Sequence, residues 1–397
     1  MRVSVGEDFH NDRKKLKYSA IVSGLIMMWV LSIPMKNFLF QLGLGLIPLF
    51  FLYITMKNKE LMAFIKEQPF SKGVLLFIVV ISLANINAIN FAHAWQFELR
   101  LLEVIFCMYA LVYFIKNQYV SIRLIVISVL FSFGIQVIDG LIQYIYGKDI
   151  IGKTMLDGRM KAMVFHPNTF GLILALGIVV CLWLLLHRKE FKISLLVANL
   201  LTLLVALAAF DLLQTTSRGS WVATISTLVV YFWLERKNLY YRYYIYALIG
   251  GLGILFYIYS DPHLTLRIQS LLEGQSAGRD VIWPLALHYI MIKPLLGYGF
   301  DAFRLLPDVP SYGQMPHNII LEILLATGII GLGTVTWLWY RLYCKILLYR
   351  HDEPRLYTLV LSSFVLLLIA GLFDHSIYQN VIYDSIWIIL LSMVFRR

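Results

Sequence analysis

The sequence predicts an all-α integral membrane protein of about twelve transmembrane helices, with a large, partly helical outer loop before the tenth span. Two observations predict it first. The 397-residue chain is 60% hydrophobic and only 14% charged, with a mean hydropathy of +0.75, whereas soluble domains carry roughly 25% charged residues. Twelve apolar runs then approach the ~20 residues that a spanning helix needs. They lie near residues 18–35, 37–56, 73–91, 101–115, 122–146, 169–187, 193–211, 219–235, 243–260, 318–340, 356–373 and 379–395. The whole chain, 1–397, reads as a single polytopic domain.

The third observation is charge placement. Lys and Arg accumulate in cytoplasmic loops. With both termini inside, 23 of the 34 basic residues fall on the inner side. Both ends are therefore expected in the cytoplasm. The net charge of +11 is mostly topological and scattered over short loops, so nothing points to nucleic acid. Cys107, Cys181 and Cys344 lie in or beside apolar runs and imply no disulfide framework. The first run has no cleavage pattern after it and reads as a retained span.

Two outer segments break the pattern. Residues 147–168, GKDIIGKTMLDGRMKAMVFHPN, carry Lys148, Lys153, Arg159 and Lys161 against the positive-inside trend, which suits either a solvated loop or an anionic partner. His166-Pro167-Asn168 closes this loop and opens the next span. The other segment, 261–317, is too long for a turn. Its stretch from Asp280 to Ile292 has helical apolar spacing, and a re-entrant or surface-lying helical lid is expected there, with Pro284 placed in its first turn.

Arg218, in Thr215-Thr216-Ser217-Arg218-Gly219-Ser220, marks a helix start that Ser217 or Thr216 caps. Arg279, in Ala277-Gly278-Arg279-Asp280, repeats the arrangement at the start of the lid helix. Helix N-terminal amides with an arginine make an anion site, and two guanidinium forks suit a diphosphate. Spacing alone leaves both open to a plainer reading, a boundary arginine and a surface ion pair. Glu322 is expected to be a structural or arginine partner, and Asp374-His375 a solvated turn. No Asp-x-Asp or Glu-x-Glu triplet occurs, so no clustered carboxylates for a divalent cation are expected, and no cofactor is implied.

After the polar loop ending Gln314-Met315-Pro316, the chain reads His317-Asn318, nine residues, Gly328, two residues, Gly331. On a helix at ~100° per residue, His317, Leu321, Leu324, Gly328 and Gly331 share a stripe that would pack closely on a neighbour. Spacing leaves His317 open between a solvated helix start and a reacting group. The motif, with the many-span layout and the outer loop before it, resembles the signature of bacterial O-antigen ligases, within the ligase and polymerase family of membrane glycosyltransferases.

The resemblance implies an inverting, metal-independent transfer of O-antigen polysaccharide from undecaprenyl diphosphate to a sugar of lipid A–core, on the periplasmic face of the inner membrane. It implies that Arg218, Arg279 and His317 are catalytic, the arginines holding diphosphate and the histidine acting as general base. Arg159, Lys161, His166, Asn168, Asn318 and Tyr298 are the candidate substrate-binding residues, and Gly328 and Gly331 the structural motif. The implied partners are the lipid-linked glycan, lipid A–core and membrane lipid. An O-antigen polymerase and a protein O-oligosaccharyltransferase would use the same donor, and a lipid-linked sugar flippase is the non-enzyme alternative.

Overall fold

In a computed structural model, residues 4–239, 241–274, 278–310, 315–374 and 380–396 are described. The described residues form helices and no strand of a sheet. In chain order these are α1 (Ser4–Ser32), α2 (Phe38–Lys57), α3 (Leu61–Glu67), α4 (Ser71–Ile86), α5 (Phe91–Lys116), α6 (Ile122–Tyr146), α7 (Pro167–Leu186) and α8 (Leu195–Gln214). There follow α9 (Arg218–Glu235), α10 (Tyr241–Ser260), α11 (Pro262–Leu272), α12 (Arg279–Ile292), α13 (Ile319–Asp352), α14 (Pro354–Phe373) and α15 (Val381–Val394). Short polar residues between apolar runs set these boundaries. Asn37, Asn90, Ser121, Ser194, Ser217 and Asn380 each cap the following helix by accepting a backbone N–H.

Among the described residues, a helix lies in each of the twelve apolar runs, but length and composition mark seven helices as membrane spans. An eighth arises if α3 and α4, bent by 95° at their junction, count as one. The shortfall from twelve has a physical cause. The first half of α5 carries Glu98, Arg100 and Glu103, α9 opens on Arg218-Gly219-Ser220, and α15 is only 14 residues long. The chain is a multi-pass membrane protein.

Contacts sort the turns into two faces. On one, Ser19 donates to the Tyr119 carbonyl, the Trp183 indole to the Arg355 carbonyl, and Arg396 pairs with Glu353. On the other, Lys36 lies over the Phe165 ring and Asn380 donates to Thr169. The starts of α7, α9, α12 and α13 and the end of α14 share this second face. The buried centre is α14, packed on α9, α13, α7 and α15.

The long segment before α13 contains α11 and α12, and the expected lid helix is α12. Pro284 is its sixth residue rather than in the first turn, so the helix forgoes the amide that would reach the Asp280 carbonyl. Part of this segment, 275–277 and 311–314, lies outside the described residues.

α13 departs from the expected stripe. Asn318 is the N-cap, so His317 precedes the helix, with a left-handed φ of 52°. Gly328 (φ 64°, ψ −166°) breaks the helix in a region open essentially to glycine alone. The break frees the carbonyls of Leu325 and Ala326 and the amides of Ile329 and Ile330. The segment after α12 takes all four. Tyr298 and Gly299 donate to Leu325 and Ala326 at 2.7 and 3.0 Å, and Ile329 and Ile330 donate to Pro294 and Leu295 at 2.8 and 3.4 Å. A Cβ at Gly328 would overlap the Leu295 carbonyl. The glycine therefore admits a loop into the helix rather than a second helix against its side.

The same segment is stitched to α4 and α5. Phe300 donates its amide to Asn85 (3.0 Å), and Asp301 meets both His93 (2.8 Å) and Arg304 (2.6 Å). Gly328→Ala should lower the melting temperature of the purified protein, by strain of ~1–3 kcal/mol plus the steric overlap. Gly333→Ala, where nothing lies within 4 Å of a new Cβ, should leave it unchanged or higher, since Ala is favoured over Gly in a helix by ~1 kcal/mol. Equal effects in a thermal unfolding assay would remove the special role of Gly328.

Candidate active site: an arginine cleft at four helix starts

A cleft of about 170 Å³, open to solvent, is lined by the N-termini of α7, α9 and α12, by His317 just before α13, and by the end of α14. An α-helix N-terminus carries roughly half a positive charge, and its first amides lack helical partners. Four such ends facing one space favour an anion before any side chain is counted.

Local sequence explains each end. His166 caps α7 through Nδ1, which accepts the Asn168 amide (3.2 Å), and Pro167 occupies the first helical position. Ser217 caps α9 by accepting the Ser220 amide (3.4 Å), which leaves Arg218 as its first residue. Gly278, at φ 84°, turns the chain into α12 with Arg279 at its start. Asn318 caps α13, accepting from the Ile320 and Leu321 amides at 3.0 and 3.2 Å.

Four arginines reach the cleft: Arg159, Arg218, Arg267 and Arg279. Three are anchored on carbonyls at helix ends. Arg159 Nε donates to Thr215 (2.9 Å) and its Nη2 to Asn168 Oδ1 (2.7 Å). Arg267 Nε donates to Thr216 (3.2 Å), and Arg279 Nη2 to Phe373 (2.6 Å). Arg279 Nε is buried with no hydrogen-bond partner among the described residues. Burial pulls Arg159 down to about 10, with Arg267 and Arg218 adding to the fall and Asp374 opposing it. Burial likewise lowers Arg267, with Arg218 and Arg279 adding to the fall, and Arg279, where Asp374 opposes the fall and Arg218 adds to it. All three remain cationic at neutral pH, crowded and partly dehydrated, a state that a bound anion relieves.

His317 donates from Nδ1 to Asp374 Oδ1 at 2.7 Å, a direction assigned from the carboxylate partner. Its Nε2 lone pair is then free to accept a proton. Three contacts hold this pair. Asn318 Nδ2 donates to the Leu372 carbonyl (3.2 Å), Arg279 grips the adjacent Phe373 carbonyl, and Trp283 donates to the Pro316 carbonyl (3.0 Å). His166, with one nitrogen committed to its cap, is held below the usual histidine range chiefly by burial. A cation clamp and an oriented base in one cleft can bind a phosphorylated ligand and take a proton beside it.

Of the residues singled out by sequence, Arg159, His166, Asn168, Arg218, Arg279 and His317 line the cleft. Three do not. Lys161 is buried at the end of the 147–161 hairpin, where its amide donates to Gln143. Tyr298 packs edge-on to Tyr289 with Lys293 over its ring. Asn318 spends its side chain on the cap and on α14. Arg267 and Asp374 also line the cleft, although the sequence marks neither as a site residue and Asp374 is expected in a solvated turn. Arg267 sits in amphipathic α11, the only signal it carries, and the partnership of Asp374 with His317 spans 57 positions. Among the described residues no group of three His, Cys, Asp or Glu side chains is placed to hold a metal ion.

Residues 203–336, which include Arg218, Arg267, Arg279, His317 and Gly328, match the family described as O-antigen ligase. A Rickettsia typhi protein, provisionally named a polysaccharide ligase, is 29% identical over 39% of this chain and 42% of its own length. The ComP-specific O-oligosaccharyltransferase of Acinetobacter baylyi is 22% identical over 79% of this chain and 60% of its own length. The O-antigen ligase of Salmonella typhimurium is 30% identical over 34% of this chain and 37% of its own length. The chain thus spans about 40–60% of the length of these relatives. By these matches, residues 203–336 are similar to the O-antigen ligase family, and the chain resembles polysaccharide ligases and an O-oligosaccharyltransferase over part of their length.

Proposed function

We propose that the protein is an inverting glycosyltransferase that moves O-antigen polysaccharide from undecaprenyl diphosphate to a sugar of lipid A–core on the periplasmic face of the inner membrane. The observation that carries this reading is the His317–Asp374 pair standing among four arginines at the meeting of four helix starts. Arg159, Arg218, Arg267 and Arg279 bind the diphosphate, which needs dispersed, bidentate cations. His317 Nε2 takes the proton of the acceptor hydroxyl, and Asp374 stabilises the imidazolium that forms.

The hydroxyl oxygen attacks the anomeric carbon as the bond from that carbon to the phosphate oxygen breaks. The electron pair leaves with the diphosphate, whose growing charge the arginines stabilise. Backside attack inverts the anomeric centre, and the proton passes from His317 to solvent. The side of the membrane follows from the basic-residue distribution.

A protein acceptor is the second reading, because the Acinetobacter oligosaccharyltransferase aligns over 79% of this chain. Purified protein supplied with lipid-linked glycan should glycosylate lipid A–core, with inverted configuration, in excess EDTA. Transfer to a pilin-type protein alone would favour the second reading. Activity abolished by the chelator and restored by magnesium would contradict the role given to the arginines.

His317→Ala should reduce turnover ~10²–10⁴-fold with donor affinity nearly intact. Arg279→Lys should weaken donor binding, because an ammonium keeps the charge and loses the fork. Donor binding and transfer rate measured on each variant separate the two effects. A His317→Ala protein that transfers sugar at the wild-type rate would remove the base from the scheme.

A further inference from the structure

We infer that the hairpin of residues 147–161 is a docking surface for the phosphate groups of a phosphorylated glycolipid acceptor, beside the cleft rather than within it. The inference rests on the lipid-acceptor reading above and adds a binding surface to it. The hairpin follows directly on α6, a candidate span ending at Tyr146, and so begins at the membrane boundary. Its backbone is built onto α6 by buried side chains. Asp139 accepts the Ile150 amide (2.7 Å), and Gln143 accepts the Lys161 and Ala162 amides at 2.9 and 3.0 Å. Gln143 also donates to the Lys153 carbonyl (3.2 Å), and Asp149 accepts the Lys153 amide (2.7 Å). Two isolated bridges, Lys148 to Thr154 and Leu156 to Arg159, complete it.

This construction leaves more positive than negative charge exposed. Asp139 and Asp149 are buried and engaged with backbone amides, and Asp157, near Arg159, is the exposed carboxylate of the hairpin. Lys148 and Lys153 are exposed, and their ammonium groups make no hydrogen bond or ion pair among the described residues. Beside them stand exposed apolar residues, Tyr146 at 76%, Ile150 at 57% and Ile151 at 56%. Free ammonium groups next to apolar side chains at a bilayer boundary match a lipid with phosphates on its headgroup. The far end of the hairpin is Arg159, a wall of the cleft, fixed to Thr215 and Asn168. A headgroup held at Lys148 and Lys153 therefore has its attached sugars beside the cleft. That continuity favours the acceptor over bulk phospholipid.

The test measures binding, apart from transfer. Purified protein and its Lys148→Gln/Lys153→Gln variant are titrated with lipid A–core in detergent micelles, intact or with its phosphates removed enzymatically, and with phosphatidylglycerol. Each lysine near an anionic headgroup contributes about fivefold in affinity. The double variant should bind intact lipid A–core ~25-fold more weakly, while its binding of the dephosphorylated lipid and of the donor stays at the wild-type level. The difference should shrink at high salt. Unchanged affinity for intact lipid A–core, or an equal loss for phosphatidylglycerol, would overturn the inference. Wild-type protein that binds the phosphorylated lipid through these lysines yet transfers nothing to it would sink the proposed reaction and leave the surface standing.

Discussion

A backbone amide or carbonyl inside a bilayer must be paired, since each one left open costs several kcal/mol. The break at Gly328 violates helical pairing at four groups, and the segment from Pro294 to Gly299 restores all four. The placement of the segment between α12 and α13 depends on that exchange. It fixes the segment after α12 to α13, and Phe300 and Asp301 carry the same segment on to α4 and α5. α12 is anchored at its far end by Arg279 on the Phe373 carbonyl. α12 is thus tied at both ends, with Arg279 at one and the glycine break at the other.

The site follows from a similar economy at helix ends. The last carbonyls of α14 lack helical donors, and Asn318 and Arg279 supply them. The turns after α8 offer carbonyls to Arg159 and Arg267 in the same way. Each of these contacts satisfies a helix end and also aims a side chain. The outcome is a cluster of like charges held together by backbone carbonyls, with Asp374 as the carboxylate among its lining residues. Such a cluster is costly without an anion and favourable with one, which is the property that a diphosphate-binding cleft needs.

The helical class and the positions of the twelve runs were legible in the sequence because apolar periodicity and single polar caps are local signals. Arg218 and Arg279 were legible for the same reason, each sitting beside small residues at a helix start. The break at Gly328 was not legible, since a glycine in an apolar run reads equally as a packing face or an interruption. Only the partner segment, some thirty residues earlier in the chain, decides between them. The pairing of Asp374 with His317 was hidden likewise. Nothing within either local stretch reports a contact made across 57 positions through the end of α14. Tyr298 and Lys161 looked like ligand residues because polar side chains in an outer loop carry no mark of being turned inward.

The central claim is that phosphate is held by the arginines while His317 faces the bond that reacts. A structure of the protein bound to undecaprenyl diphosphate carrying a sugar tests it most directly. Phosphate oxygens should lie within hydrogen-bond reach of Arg218 and Arg279, with the anomeric carbon on the side of His317 Nε2. A diphosphate seated away from these arginines, or an anomeric carbon turned away from His317, would contradict it.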